Sequence, residues 1–235
     1  MSKDPQHYHD VARRYGHLDG AALLRPLIER EFSGRIALVS SFGAESAVLL
    51  WLVASIDPAV PVLFIDTGKL FGETLRYRDH LIARLGLRDL RTIGPDRARL
   101  ETADPDGMLW QRYPDACCNL RKVEPLATAL AGFDAWISGP KRYQGGDRAA
   151  IPTIESGDGL LKINPLANWS RADIDAAFAA HDLPRHPLEA DGYLSIGCMP
   201  CTARVAPGAD PRSGRWAGTD KTECGIQSGI ARGSA

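Results

Sequence analysis

Ile36-Ala-Leu-Val-Ser-Ser-Phe-Gly-Ala-Glu-Ser46 decides the fold: an apolar run, a polar turn with a glycine, and then a helix-length apolar run from Ala44 to Ala54. This order predicts a buried strand, a turn and a helix. Val60 to Ile65 predicts the next strand, and Leu70 to Leu85 the next helix. Because helix-length connections join parallel strands, we expect an α/β protein with an open, mostly parallel sheet flanked by helices.

The same patterns predict further elements on both sides of this unit. Strands are expected at Asp89 to Ile93, Ala135 to Ser138 and Leu160 to Ile163. Helices are expected at His7 to Tyr15, Ala21 to Phe32, Cys117 to Ala131 and Ser170 to His181. The last of these helices begins with a serine that can cap it.

Glycine and proline recur after Pro184, which predicts that regular structure ends there and that the C-terminal tail is flexible. A tail that serves only to be solvated has no need of cysteine or tryptophan. This one contains Cys198, Cys201, Trp216 and Cys224. We therefore expect the tail to take part in function.

Composition limits the classes of protein to be considered. A chain of 235 residues, 44% of them hydrophobic, can bury one substantial core, and we favour one domain with a tail. The net charge of -1 argues against a basic nucleic-acid surface and favours a small anion as partner. No apolar run reaches the roughly 18 residues of a membrane span, and the N terminus lacks a signal-peptide core. We expect a cytoplasmic protein; a monomer and a homo-oligomer both stay open.

The five cysteines fall as an adjacent pair, a C-x-x-C pair and a single residue. An odd number in a reducing compartment favours metal binding and catalysis over structural disulfides. Adjacent residues on a helix point about 100° apart, so Cys117 and Cys118 reach one centre only if the backbone is distorted or the centre is large. A cubane cluster tolerates this better than zinc. Zinc, and a thioredoxin-like dithiol at Cys198-Met-Pro-Cys201, stay open as alternatives.

Two polar turns are expected at one edge of the sheet. Free N–H groups at the helix start after Ser40 to Gly43 would favour an anion, and Asp66-Thr67-Gly68 follows the next strand. The first turn has neither the lysine of a Walker A loop nor the G-x-G-x-x-G of a Rossmann turn. An ordinary serine-capped turn is the alternative.

These turns resemble those of the adenine-nucleotide α-hydrolase superfamily, and more closely those of the sulfonucleotide (PAPS/APS) reductase family. The resemblance extends in family order over nearly the whole chain. It continues through Cys117-Cys-Asn-Leu-Arg-Lys122, Gly139 to Arg148, Cys198-x-x-Cys201, Gly214-Arg-Trp216 and Glu223-Cys-Gly-Ile226. Two cysteine pairs of this kind mark the branch that carries an iron-sulfur cluster and mostly reduces adenosine 5′-phosphosulfate (APS).

The resemblance implies an activity and a site. It implies reduction of APS to sulfite and AMP in assimilatory sulfate reduction, with thioredoxin or a glutaredoxin-like protein as reductant. Cys224 would be the catalytic nucleophile and would carry an S-sulfocysteine intermediate. A [4Fe-4S] cluster would be held by Cys117, Cys118, Cys198 and Cys201. The substrate-binding residues would be Ser40, Ser41, Phe42, Gly43, Asp66, Thr67, Lys122, Arg148, Arg212 and Arg215.

Charge agrees with these roles. Both the phosphate and the sulfate of APS are negative and call for guanidinium or ammonium groups. Lys122 would lie between cluster and substrate and offset the negative charge of the cluster thiolates. Lys221, Arg212 and Arg215 could favour the thiolate of Cys224.

The resemblance also divides the chain and shows one departure. Residues 1–195 would form the nucleotide-binding α/β domain, which includes the first two cluster cysteines. Residues 196–235 would form a C-terminal segment with the second cysteine pair and a mobile catalytic tail. Relatives commonly have histidine after Glu-Cys-Gly-Ile, where this chain has Gln227. We expect retained binding with weaker or less pH-dependent anion contact.

Two other functions stay open. A reductase of this family could accept or prefer 3′-phosphoadenylyl sulfate (PAPS), because a few polar contacts to the 3′ position decide the preference. A non-catalytic redox sensor could bind nucleotide and hold an iron-sulfur cluster or zinc.

Overall fold

Six strands form one sheet in the computed structural model, which describes residues 5–157 and 159–226. They are β1 (Ile36–Ser40), β2 (Val62–Ile65), β3 (Leu90–Ile93), β4 (Ala135–Ile137), β5 (Ile154–Gly157) and β6 (Leu160–Ile163). Their order is β3-β2-β1-β4-β6-β5. All neighbours are parallel except β5 and β6, which form an antiparallel pair at one edge. The predicted open, mostly parallel α/β sheet is confirmed.

The central strands are apolar because both of their faces are covered. Every residue of β2 is buried, as expected for a continuous Val-Leu-Phe-Ile run in a parallel sheet. Leu38 of β1 pairs with Val62 of β2 on one side and with Ile137 of β4 on the other. These pairings fix the register at the centre of the sheet.

Nine helices accompany the sheet in the described part of the chain. They are α1 (Pro5–Tyr15), α2 (Gly20–Pro26), α3 (Ser46–Ile56), α4 (Gly72–Leu85), α5 (Arg97–Ala103), α6 (Leu109–Arg112), α7 (Pro114–Cys118), α8 (Glu124–Leu130) and α9 (Arg171–Ala180). On one face α3 packs against α2, α4 and α9, and on the other α8 packs against β2 and β3. No helix in these ranges combines the length and the apolar character needed to cross a membrane.

Two predicted helices are interrupted by π-helical turns. The helix expected at Ala21 to Phe32 is α2 followed by a π turn, Leu27–Glu31, directly after a proline inside the helix. The helix expected at Cys117 to Ala131 consists of α7, the π turn Asn119–Val123, and α8. Such turns are frequent at functional sites.

The cap of α9 is confirmed, whereas several short elements were not predicted. The hydroxyl of Ser170 accepts a hydrogen bond from the N–H of Asp173, and the carboxylate of Asp173 accepts one from the N–H of Ser170. Sequence patterns missed β5, α5 and α6, which are four, seven and four residues long. These elements bury at most one residue each, so they give no apolar pattern to detect.

The strand order reverses at β1. From β1 the chain proceeds outward to β2 and β3, and then returns to place β4 on the other side of β1. In open α/β sheets, ligands bind beside the carboxyl ends of the strands at such a switch point. The sequence from Ser40 onward lies at this place.

Residues 196–226 contain little regular structure. A single 3₁₀ turn, Met199–Cys201, lies between two isolated bridges, Leu70 with Cys198 and Thr202 with Arg215. The division into domains at residue 195 and the flexibility of the tail stay predictions.

Candidate functional site

A cavity of about 540 Å³ opens at the carboxyl edge of the sheet. The ends of β1, β2 and β4 line it from below, and residues 208–212, 223, 224 and 226 line it from the C-terminal segment. The predicted site residues that line it are Ser40, Ser41, Gly43, Thr67, Lys122, Arg148, Arg212, Arg215 and Cys224. The sheet edge and the C-terminal segment thus meet around one space.

Phe42 and Asp66 do not line this cavity. The side chain of Phe42 is fully buried and packs edge-on against Phe64, with ring centroids 5.4 Å apart. Its φ of 48° turns the backbone after β1, and its N–H donates to the hydroxyl of Ser40. The carboxylate of Asp66 accepts from the N–H of Gly68 and shapes its own turn. The structure gives both residues a role in turn geometry, and their part in binding stays a prediction.

One carboxylate holds two of the predicted arginines. Arg148 donates to both oxygens of Glu223, with distances of 2.5 Å to Oε1 and 2.9 Å to Oε2. Arg212 donates to Glu223 Oε1 at 3.0 Å and to the carbonyl of Thr222 at 2.8 Å. Burial raises the pKa of Glu223, but the two guanidinium groups outweigh burial and hold it below its usual value. Glu223 is therefore a buried anion among cations.

Arg215 is positioned differently. Its guanidinium lies 4.4 Å from the centre of the Trp216 ring, a cation–π arrangement, and its Nε is 3.4 Å from the carbonyl of Cys201. It also passes so close to Gly197 that a Cβ there would lie 2.3 Å from Nη2. A glycine at position 197 is required for this close approach.

Glu45 organises the opposite wall of the cavity. Its carboxylate accepts hydrogen bonds from Lys141 at 2.7 Å, Tyr143 at 2.6 Å and Gln144 at 3.2 Å, and lies 3.4 Å from Arg171. Burial opposes its ionisation, but the ammonium of Lys141 outweighs burial and lowers the pKa of Glu45 overall. This hub joins the first turn to the segment before β5. Glu45 belongs to the predicted turn sequence after β1, but the partners of its carboxylate lie about a hundred positions away in sequence. Local sequence patterns do not detect pairings over such a distance.

Four cysteines line a second, smaller cavity. They are Cys117, Cys118, Cys198 and Cys201. Lys122 and Trp216 line both this cavity and the larger one, so they form the partition between the two. Burial lowers the pKa of Lys122, but nearby cysteine thiolates, chiefly those of Cys198 and Cys224, outweigh burial and raise it overall.

The geometry around the cysteines bears on what they can hold. All five cysteines are free, and no group of three His, Cys, Asp or Glu side chains within residues 5–157 and 159–226 is arranged to hold a single metal ion. The helix is distorted by its π turn directly after Cys118. Burial raises the pKa of Cys118 to about 11, and the sulfur of Cys198 lies 3.3 Å from the hydroxyl of Thr67.

A buried ion pair joins the first cysteine pair to the sheet edge. Arg121 donates to the carboxylate of Asp104 at 2.5 Å and to the carbonyl of Thr67 at 2.7 Å. Both side chains are nearly inaccessible to solvent. Removing one partner would leave a buried charge uncompensated, so this pair fixes the π turn that carries Lys122.

Cys224 is partly buried and lines the large cavity with the arginines. Lys221, expected to lend it positive charge, donates to the carboxylate of Asp115, and its part in activating Cys224 stays a prediction. Gln227 lies outside the described residues.

Comparison with known proteins identifies the family. The model of the phosphoadenosine phosphosulfate reductase domain matches residues 35–204, which is more than half of the chain. The chain belongs to the phosphoadenosine phosphosulfate reductase family. An adenosine 5′-phosphosulfate reductase of Mesorhizobium japonicum is 53% identical over 212 residues, covering 90% of this chain and 84% of the relative. A phosphoadenosine 5′-phosphosulfate reductase of Gloeobacter violaceus is 41% identical over 231 residues, covering 96% and 95%.

Solved structures agree with the family. A crystal structure of phosphoadenylyl-sulfate reductase from Candida auris, a phosphate complex, matches with a TM-score of 0.71 and 26% identity, covering 86% of this chain and 99% of that one. The FMN adenylyltransferase of Candida glabrata matches with a TM-score of 0.54 and 18% identity, covering 83% of this chain and 70% of that one. The second likeness concerns the fold alone.

Proposed function

We propose that this protein is a reductase that converts APS to sulfite and AMP with a thioredoxin or glutaredoxin-like dithiol as reductant. One observation carries the proposal: Cys224 shares a 540 Å³ cavity with the turn after β1 and with Arg148, Arg212 and Arg215. A nucleophile, an anion site and the carboxyl edge of the sheet are thus in one place. The 53%-identical relative is named for the same substrate.

The first chemical step is a displacement at sulfur. The thiolate of Cys224 attacks the sulfur of APS, the bond between that sulfur and the bridging oxygen breaks, and the electron pair leaves with AMP. The product is an S-sulfocysteine on Cys224. Arg148, Arg212 and Arg215 hold the phosphosulfate oxygens, and Lys122 adds positive charge from the partition.

The second step uses an external dithiol. One reductant thiolate attacks the sulfur of Cys224, the bond to the sulfo group breaks, and sulfite leaves with the electron pair. The second reductant thiol resolves the mixed disulfide and returns Cys224 to its thiol form. Two electrons thereby pass from the dithiol to the sulfur that leaves as sulfite.

The four other cysteines fit an iron-sulfur cluster. Four free thiols around one cavity, beside a distorted helix and with a lysine in the wall, are a donor set that suits a [4Fe-4S] centre. We propose that Cys117, Cys118, Cys198 and Cys201 hold it. When bound, the cluster supplies a fixed charge beside Lys122 and a crosslink between α7 and the C-terminal segment. Metal analysis of anaerobically purified protein checks this: iron and sulfide in about equal amounts support a cluster, and zinc alone contradicts it.

PAPS is the second candidate substrate, because the 41%-identical relative is named for it. Sulfite release is measured under anaerobic conditions with thioredoxin and with each nucleotide in turn. We expect a higher kcat/KM with APS than with PAPS. A preference for PAPS would select the second candidate, and no sulfite from either nucleotide would overturn the proposed function.

A further inference from the structure

Glu223 makes the contacts that an oxyanion would make. Its two carboxylate oxygens take the paired N–H groups of Arg148 and a third N–H from Arg212. Forked contacts of this kind are how arginine recognises carboxylate, phosphate and sulfate alike. The side chain of Glu223 is only 9% exposed, so these bonds are shielded from water and salt.

The same N–H groups cannot serve Glu223 and a substrate at once. Nη1 of Arg148 is also engaged, because it donates to Gln144 at 2.5 Å. An incoming phosphosulfate therefore competes with Glu223 for the forked N–H pair of Arg148, the pair that best matches two oxygens of one group. Arg215 makes no bond to Glu223 among the described contacts and lines the same cavity.

Glu223 is also one of few groups that hold the segment around the nucleophile. No hydrogen bond between main-chain groups ties residues 221–226 to the rest of the described chain. Their polar ties are the ion pairs of Glu223, the bond from Arg212 to the carbonyl of Thr222, the pairing of Lys221 with Asp115, and the bond from the N–H of Lys221 to the hydroxyl of Thr219. Release of Glu223 removes two of these ties immediately before Cys224.

We propose that Glu223 is a positioning residue that occupies the anion site until an oxyanion displaces it, and whose displacement moves Cys224 toward the bound sulfur. The inference rests on the proposed function for the identity of the anion, but competition for the arginines applies to any oxyanion. Glu223 sets the affinity of the site through competition and the placement of Cys224 through its main-chain link. A purely structural ion pair would do neither.

The test compares wild type with Glu223→Gln, which keeps the shape of the side chain and removes its charge. Sulfate is the probe, titrated calorimetrically at constant ionic strength. We expect Glu223→Gln to bind sulfate about tenfold more tightly, since a competing charge has been removed from the arginines. Glu223→Asp keeps the charge and should bind sulfate like wild type.

Turnover supplies the second readout. With APS, Glu223→Gln should show a lower KM together with a kcat lower by about tenfold, because binding is no longer coupled to the placement of Cys224. A structural role predicts an unchanged or higher KM instead. The matched control is Glu155→Gln. Glu155 lies on β5, outside the cavity, and its carboxylate pairs with Lys162 at 3.0 Å. Neither readout should change in this variant.

Each result counts for or against the inference. Equal or weaker sulfate binding by Glu223→Gln overturns it, and so does the absence of sulfate binding in both proteins. A wild type that reduces APS, combined with equal sulfate binding in the two proteins, overturns the inference and leaves the proposed function standing. If the wild type does not reduce APS but the variant binds sulfate more tightly, the proposed function is overturned and the inference stands.

Discussion

The sheet edge and the C-terminal segment line the same cavity but are held in place by different forces. At the edge, Ser40 ends β1 and Thr67 follows β2, and buried apolar packing on both faces fixes the positions of these strands. In residues 196–226, positions depend on one 3₁₀ turn, two bridges, scattered main-chain hydrogen bonds, a few buried side chains such as Trp216, and a set of ion pairs. The rigid part supplies the floor of the site, and the part with fewer constraints carries Cys224, the proposed nucleophile, and two of the three arginines.

The largest expected effect concerns the rigid part. Leu50 lies fully buried in α3, and Leu50→Ala should lower the free energy of unfolding by about 3 kcal/mol through lost burial and a cavity. At temperatures where the variant stays folded, kcat/KM should be close to that of wild type. Denaturant unfolding measures the loss of stability, and turnover measures kcat/KM. Met108→Ala, at a side chain 38% exposed, is the control; a large loss of kcat/KM without loss of stability would break the comparison.

The second-largest effect concerns residues 196–226, where a substitution should lower activity and leave stability nearly unchanged. Arg212→Met removes a guanidinium from the anion site and should cost about 2 kcal/mol in transition-state binding, or roughly thirtyfold in kcat/KM. Stability should change little, because the side chain is not part of the core. Arg204→Met serves as the control, since Arg204 is exposed and stacks on Tyr193 outside the cavity. Equal activity of the two variants would contradict the role of Arg212.

Lowering the pH should reduce the stability of the folded protein through His186. Burial lowers the pKa of its imidazole from 6.5 to about 4, and the ring contacts Thr74 and Tyr77. Between these two values the unfolded chain binds a proton that the folded one does not, so stability falls as pH is lowered through this window. The slope from this group is at most about 1.4 kcal/mol per pH unit. His186→Gln should reduce the slope, exposed His17→Gln should not, and identical slopes in all three proteins would refute the assignment.

The smallest effect comes from one methyl group. Gly197→Ala places a Cβ 2.3 Å from Arg215 Nη2, and the flexible guanidinium should move away from it. We expect kcat/KM to fall about fivefold, or about 1 kcal/mol, with an unfolding midpoint close to that of wild type. Gly132→Ala is the matched control because no atom lies within 4 Å of its added Cβ. An unchanged kcat/KM for Gly197→Ala would show that Arg215 is not held in place by this approach.

Sequence patterns were sufficient for most of the regular part of the molecule. Strands β1, β2, β4 and β6 were predicted because they are apolar runs, and the cap of α9 because Ser170 precedes a helical pattern. The strand β5 was missed, since Ile154-Glu-Ser-Gly157 is a short edge strand with only one residue fully buried. Apolar periodicity reports burial, and this strand has little of it.

The site was only partly readable for a different reason. Motifs place Cys224, Arg212 and Arg215 in the C-terminal segment, but no local pattern tells which carboxylate they meet. Glu223 pairs with Arg148, 75 positions away in sequence, and the motif that contains Glu223 gave no sign of it. Likewise, the turn sequence does not show that the side chain of Phe42 points into the core rather than the cavity. Long-range pairing and side-chain direction come from the folded structure.

The central claim is that Cys224 receives the sulfo group, and mass spectrometry tests it most directly. The protein is incubated with APS without reductant, digested, and the peptide that contains Cys224 is analysed. The account predicts a mass increase of one SO₃ group on Cys224 alone, its removal with release of sulfite when thioredoxin is added, and no adduct in Cys224→Ser. An unmodified Cys224 in protein that still releases sulfite, or a sulfo group on another cysteine, would contradict it.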